Sequence, residues 1–173
     1  MSEVDARLRA ALDRHLNLVW RVLRRSGLRS SDAEDAAQDV FWVLAQRSAD
    51  VPERAERSFL VATALRVAAD RRRSKWQRSM TSLESDSREE TGPLPDEALD
   101  LRRAGKLLDQ ALEALSEADR SVFILAQVEQ LTRAEVAETL GIPEGTVASR
   151  LRRARETFEA SVKRLRLRSR SRA

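Results

Sequence analysis

The stretch LTRAEVAETLGIPEGTVASRLRRARETF, residues 131–158, restricts the fold more than any other part of the chain. It has the layout of a helix-turn-helix. Ala137 is small where two helices must approach closely. Gly141 follows four residues later, where the turn needs an unhindered or left-handed backbone. Val147 falls at the buried position of the second helix. Thr132 and Glu135 form a capping box at the start of the first helix, and Pro143 suits the first turn of the next. Val147, Leu151, Ala154 and Phe158 mark the buried face of the second helix. The opposite face carries Gly145, Ser149, Arg152, Arg153 and Glu156, flanked by Ala148, Arg150 and Arg155. Arginines there can pair with guanine edges or phosphates, and serine with either, so this is a groove-reading surface whose binding weakens as salt rises.

The charge pattern agrees. Residues 143–173 hold ten Lys/Arg against three Glu, which suggests a polyanionic partner, whereas residues 81–100 hold seven acids against Arg88 alone. Charged residues make up 35% of the 173 and aromatics 4%, with five Gly, four Pro and no Tyr, a composition that favours helices over strands. The chain lacks Cys, which excludes disulfides and thiolate metal sites. It has one histidine, His15, expected to border the core, and no carboxylate pair beside a nucleophile or Gly-rich loop. No enzymatic activity, metal or cofactor is therefore expected. Apolar runs are too short to span a bilayer and the N-terminus lacks a signal-peptide pattern, so a cytoplasmic protein without membrane insertion is expected.

Hydrophobic periodicity predicts a first helix over about residues 3–26 with Trp20 on its core side and Gly27 ending it. A second opens at Ser31 and Glu34, which form a capping box, and contains DAEDAAQDVFWVLAQR. Ala36, Ala37, Val40, Val43 and Leu44 make its core face. Across from them lie Asp35, Gln38, Asp39, Trp42 and Gln46. An indole among carboxylates and amides has the composition of a partner contact; the alternative is that Trp42 tucks under a loop. A third helix, SFLVATALRVAADRRRSKWQR, is apolar at first and basic at its end, with a polar stripe at Thr63, Arg66, Asp70 and Arg73. After it, TSLESDSREETGPLPDEALD reads as an acidic flexible linker that cannot bury a core. Four further helices are expected near 101–114, 117–129, 132–139 and 143–165. The fold class is all-α, with two small helical domains over 1–80 and 101–167, a linker over 81–100 and a basic tail over 168–173.

Taken together, DAEDAAQDVFWVLAQR, SFLVATALRVAADRRR and LEALSEADRSVFILAQVEQLTRAEVAETLGIPEGTVASRLRRARE resemble the bacterial extracytoplasmic-function sigma factors, the smallest two-domain class of RNA polymerase specificity subunit. The resemblance implies that Asp35, Gln38, Asp39 and Trp42 contact the β′ clamp helices of the polymerase core. It also implies that Arg66, Arg71, Arg72, Arg73, Lys75 and Trp76 serve recognition and melting of the −10 element, where phosphate-binding cations and base-receiving surfaces are needed. A plainer reading of the same helix pairs Asp70 with Arg66 or Arg73 and leaves the rest solvated. By the same resemblance, the −35 element is expected to fall to Thr146, Ala148, Ser149, Arg150, Arg152 and Arg153. Relatives commonly have Asn at Arg66, Trp at Phe59, and Arg or Lys at Ala148; the last departure shifts readout onto Ser149, Arg152 and Arg153. Promoter DNA, the polymerase core and an anti-sigma factor are the implied partners, with a linker suited to the RNA exit channel. A stand-alone helix-turn-helix regulator would explain the second domain but leave the Trp42 row and the basic third helix without a role.

Overall fold

The computed structural model describes residues 3–81 and 96–170, with side chains over 6–75 and 103–168. Among the described residues the architecture is all-α: α1 (Glu3–Arg25), α2 (Ser30–Gln46), a short 3-10 turn (Glu53–Ala55), α3 (Glu56–Thr81), α4 (Asp96–Glu113), α5 (Glu117–Phe123), α6 (Arg133–Leu140) and α7 (Glu144–Arg170).

Helices α1 to α3 pack on one another around Val19, Leu23, Val40, Phe41, Leu60 and Ala64, all buried. Trp20 packs at the edge of this core and His15 is half-buried. Gly27 ends α1 in the left-handed region at φ +97°. The Gly27 amide donates to Arg24 O and the Leu28 amide to Leu23 O, at 3.0 and 3.3 Å, closing the turn while both leucines are buried beneath it. The expected Ser31–Glu34 capping box does not form. The N-cap lies two residues earlier, at Arg29, which is extended and makes no side-chain cap, and Asp32 supplies negative charge to the first turn instead. Of the expected α3 stripe, Arg66, Asp70 and Arg73 are exposed, but Thr63 is buried.

In the second half α5 packs on α7, where the Phe123 and Phe158 rings stack at 4.6 Å between centroids, worth about 0.5–1.5 kcal/mol beyond their area. Beyond Phe123 the chain continues in a π-helical turn, Ile124–Val128, where a regular helix to 129 is expected. Glu129 N reaches Ile124 O at 3.0 Å, and Gln130 then turns left-handed at φ +55°. The Thr132–Glu135 capping box forms as expected, with Thr132 N donating to Glu135 Oε2 at 2.8 Å. Thr132→Ala should therefore lower the stability of the chain by about 1 kcal/mol, read as an earlier urea midpoint; an unchanged midpoint would show the cap to be idle. Gly141 is left-handed at φ +63°, and the amides of Gly141 and Ile142 close the turn onto Glu138 O and Ala137 O.

Two helix ends differ from the sequence pattern. α4 begins at Asp96, inside the segment read as linker, because Asp96 and Glu97 suit the positive end of a helix. α7 continues through Arg170, into the segment read as a tail; arginine is a good helix former, and cations suit a helix C-terminus. Residues 82–95 and 171–173, with most of the linker and the end of the tail, lie outside the described residues.

The halves also touch. Arg21 pairs with Glu129 and Arg25 with Asp109, each at 2.9 Å, and α6 lies against α3. Between them Arg120 is 2% exposed and donates to Ser26 O at 3.3 Å and Leu115 O at 3.4 Å. Its Nε lacks a partner. Burial and the nearby Arg72 push the guanidinium down to about 10. Gly27 accommodates both arginines: a Cβ there would lie 3.3 Å from Arg120 Nη1 and 3.6 Å from Arg72 Cδ.

Candidate nucleic-acid interface

α7 reaches the surface because its apolar residues recur at helical spacing. Val147, Leu151 and Ala154 are buried against α5 and α6, and this rotates Ser149, Arg152 and Arg153 outward. Ser149 Oγ donates to Thr146 O at 3.0 Å; Thr146, Ala148 and Arg150 are half-buried at the margins of the exposed face. On one flank a cleft of about 470 Å³ opens between α7 and the start of α6, lined by Arg133, Arg152 and Arg155 with Glu156 and Glu159. On the other, Arg153 leans toward α5. Its Nε donates to Asp119 Oδ2 at 3.0 Å and its Nη2 to Asp119 Oδ1 at 2.9 Å. Asp119 is buried at the third residue of α5, and its amide donates to the Ser116 cap at 3.2 Å. The Arg153 guanidinium holds the Asp119 carboxyl below its ordinary range against the opposing effect of burial, assisted by Ser116 and Arg150.

The basic residues of α3 do not converge on one face. Arg66 and Lys75 are exposed. Arg73 pairs with Asp70 at 2.7 Å, as the plainer sequence reading has it. Arg71 turns back toward α2, donating to Asp32 O at 2.9 Å and pairing with Asp39. Arg72 faces Gly27 and Arg120 at the seam between the halves. The side chain of Trp76 lies outside the described residues.

On α2 the polar row is as expected: Asp35, Gln38, Asp39 and Trp42 are all exposed, and Trp42 at 66% is not tucked under a loop. Beside it, α1 and α2 enclose an apolar cleft of about 680 Å³ lined by Leu12, Leu16, Trp20 and Phe41, with Gln38 at its edge. Among the described residues no acidic or histidine cluster could hold a metal, and no helix is long and apolar enough to cross a membrane.

The family model for Sigma-70 region 2 matches residues 11–78, covering the three helices that carry the Trp42 row and the α3 cations. The model for Sigma-70 region 4 matches residues 105–158, through the helix-turn-helix. The ECF RNA polymerase sigma factor SigL of Mycobacterium tuberculosis is 32% identical over 151 residues, 84% of this chain and 83% of that one. The chain belongs to the ECF sigma factors. The ferric citrate uptake sigma factor FecI of Escherichia coli is also 32% identical, over 117 residues that make up 67% of this sigma factor and 68% of FecI. Two solved structures share the fold. The sigma factor RpoE, in complex with the anti-sigma factor NepR from Bartonella quintana, has a TM-score of 0.70 at 20% identity and covers 90% of this chain and 96% of its own. CnrH, in complex with the cytosolic domain of CnrY, has a TM-score of 0.66 at 21% identity and covers 90% and 87%.

This sigma factor contains three polar residues of consequence that the sequence reading passed over. Asp119 was accessible in part, since Ser116 followed three residues later by an acid is a helix-start signature. Its partner Arg153, 34 positions away, was not. Glu56, just before the predicted start of the third helix, is fully buried and accepts from Arg7 Nε at 2.7 Å; Arg120 has no local signal of burial.

Proposed function

We propose that the sigma factor divides its work between the two ends of the chain. Residues 1–80 form the domain that binds the polymerase core and meets the −10 element, 81–100 the linker through the RNA exit channel, and 101–167 the domain that reads the −35 element. Asp35, Gln38, Asp39 and Trp42 meet the β′ clamp helices. Arg66, Arg71, Arg72, Arg73, Lys75 and Trp76 serve the −10 element and the melted strand, and Thr146, Ala148, Ser149, Arg150, Arg152 and Arg153 the −35 duplex. The observation that carries this reading is the exposed Trp42 within an otherwise polar row, in the half opposite the basic recognition helix. An anti-sigma factor is a further partner, by analogy with the RpoE–NepR complex, and the cytoplasm, where polymerase and promoter meet, is its place of action.

Run-off transcription tests the division. Core polymerase is supplied with the full chain and a pool of duplexes randomised over both promoter elements. Enrichment of two spaced elements, dependent on the added chain, is the expected result. Recovery of duplexes by the free chain, with no transcripts and no affinity for the core, would overturn it.

A further inference from the structure

Resting on the −35 reading above, we infer that Asp119 is a positioning residue that presents Arg153 to a guanine. A guanidinium has five N–H donors: one on Nε and two on each Nη. Asp119 takes the Nε donor and one Nη2 donor, at 3.0 and 2.9 Å. What remains is the outer edge, with the second Nη2 donor beside the two on Nη1. That edge offers two adjacent donors and no acceptor. In the major groove only guanine offers two adjacent acceptors, O6 and N7; adenine sets N7 beside an N6 donor, cytosine offers a donor, and thymine a single acceptor beside a methyl group.

Burial divides the pair in the way this task requires. The Asp119 side chain is 10% exposed and the Arg153 side chain 62%, so the carboxylate is fixed inside the protein while the guanidinium faces out. The backbone beneath the carboxylate is held on the first turn of α5, where the Asp119 amide donates to the Ser116 cap. The arginine therefore holds its direction before DNA arrives, and docking does not have to immobilise a long flexible side chain. Arg152, also exposed on the same helix, makes no ion pair among the described residues and lacks this restraint.

The test uses polymerase reconstituted with the full chain and promoters carrying each of the four bases at every −35 position. The wild type should prefer guanine at one position by about 5- to 150-fold. Arg153→Ala should flatten that position alone. Asp119→Ala should reduce the same preference by at least about threefold, leave discrimination at other positions in place, and add nothing in the Arg153→Ala background. Should Asp119→Ala fail to fold, Asp119→Asn is nearly isosteric but sets an amide donor against the guanidinium, and must weaken the guanine preference. Uniform loss across all promoters for Asp119→Ala, with the guanine preference intact, or an Asp119→Asn chain whose guanine preference is undiminished, would overturn the inference while leaving the −35 reading standing. A wild type indifferent to every −35 base would overturn both.

Discussion

Glu56→Ala should destabilise the chain by about 3 kcal/mol, as much as truncating a buried leucine of the first half. Glu56 is fully buried at the start of α3, and its carboxylate reaches Arg7 at 2.7 Å and faces Arg14 at 3.9 Å. Arg7 in turn donates to Ser48 O and Val51 O, so one guanidinium fastens α1 both to α3 and to the connection before it. Removing the carboxylate leaves Arg7 with carbonyl partners but no counter-charge. The figure lies at the low end for a broken buried pair because the Arg7 side chain is 25% exposed and water recovers part of the loss. Glu56→Gln keeps an acceptor and should cost less. Urea unfolding of the full chain reads both; a change under about 1 kcal/mol for Glu56→Ala would show that the pair does not hold the bundle together.

Trp42→Ala should weaken binding to the polymerase core by at least about 2 kcal/mol, roughly 30-fold in Kd, without altering the urea midpoint. The indole is 66% exposed and supports no other part of the chain's core, so truncation removes contact area and little else. Competition for core polymerase against a labelled sigma factor gives the change in affinity. A chain that competes as well as the wild type would remove Trp42 from the interface. Asp39→Ala is less clean, because Asp39 also pairs with Arg71 on α3, and its loss would release a cation proposed to serve the −10 element.

What the sequence disclosed was decided within a few residues of chain. The left-handed turns at Gly27 and Gly141, the Thr132–Glu135 box and the outward row on α2 all follow from spacing, and each is present. Local signals also misled. Ser31 and Glu34 have the right spacing for a box, but Ser30 is already helical, which places Ser31 inside the first turn. The π-helical turn after Phe123 was hidden because nothing in the residues ILAQV marks where the extra residue goes. For the candidate site the identity of the exposed cations was legible, but their partners were not. Arg71, Arg73 and Arg153 look alike as letters, yet one turns to α2, one to its own helix and one to α5. Those choices depend on which helices the fold brings alongside.

Arg120 has a consequence for how the halves stay together. A guanidinium removed from water, hydrogen-bonded to carbonyls alone and with a second arginine nearby, has Glu113 and Glu117 as its offsetting charges, and it recovers hydration if the contact opens. The flanking Arg21–Glu129 and Arg25–Asp109 pairs are partly solvated and fade with ionic strength. The joint thus sets an outer rim that weakens with salt around a centre whose charge is costly to keep dry.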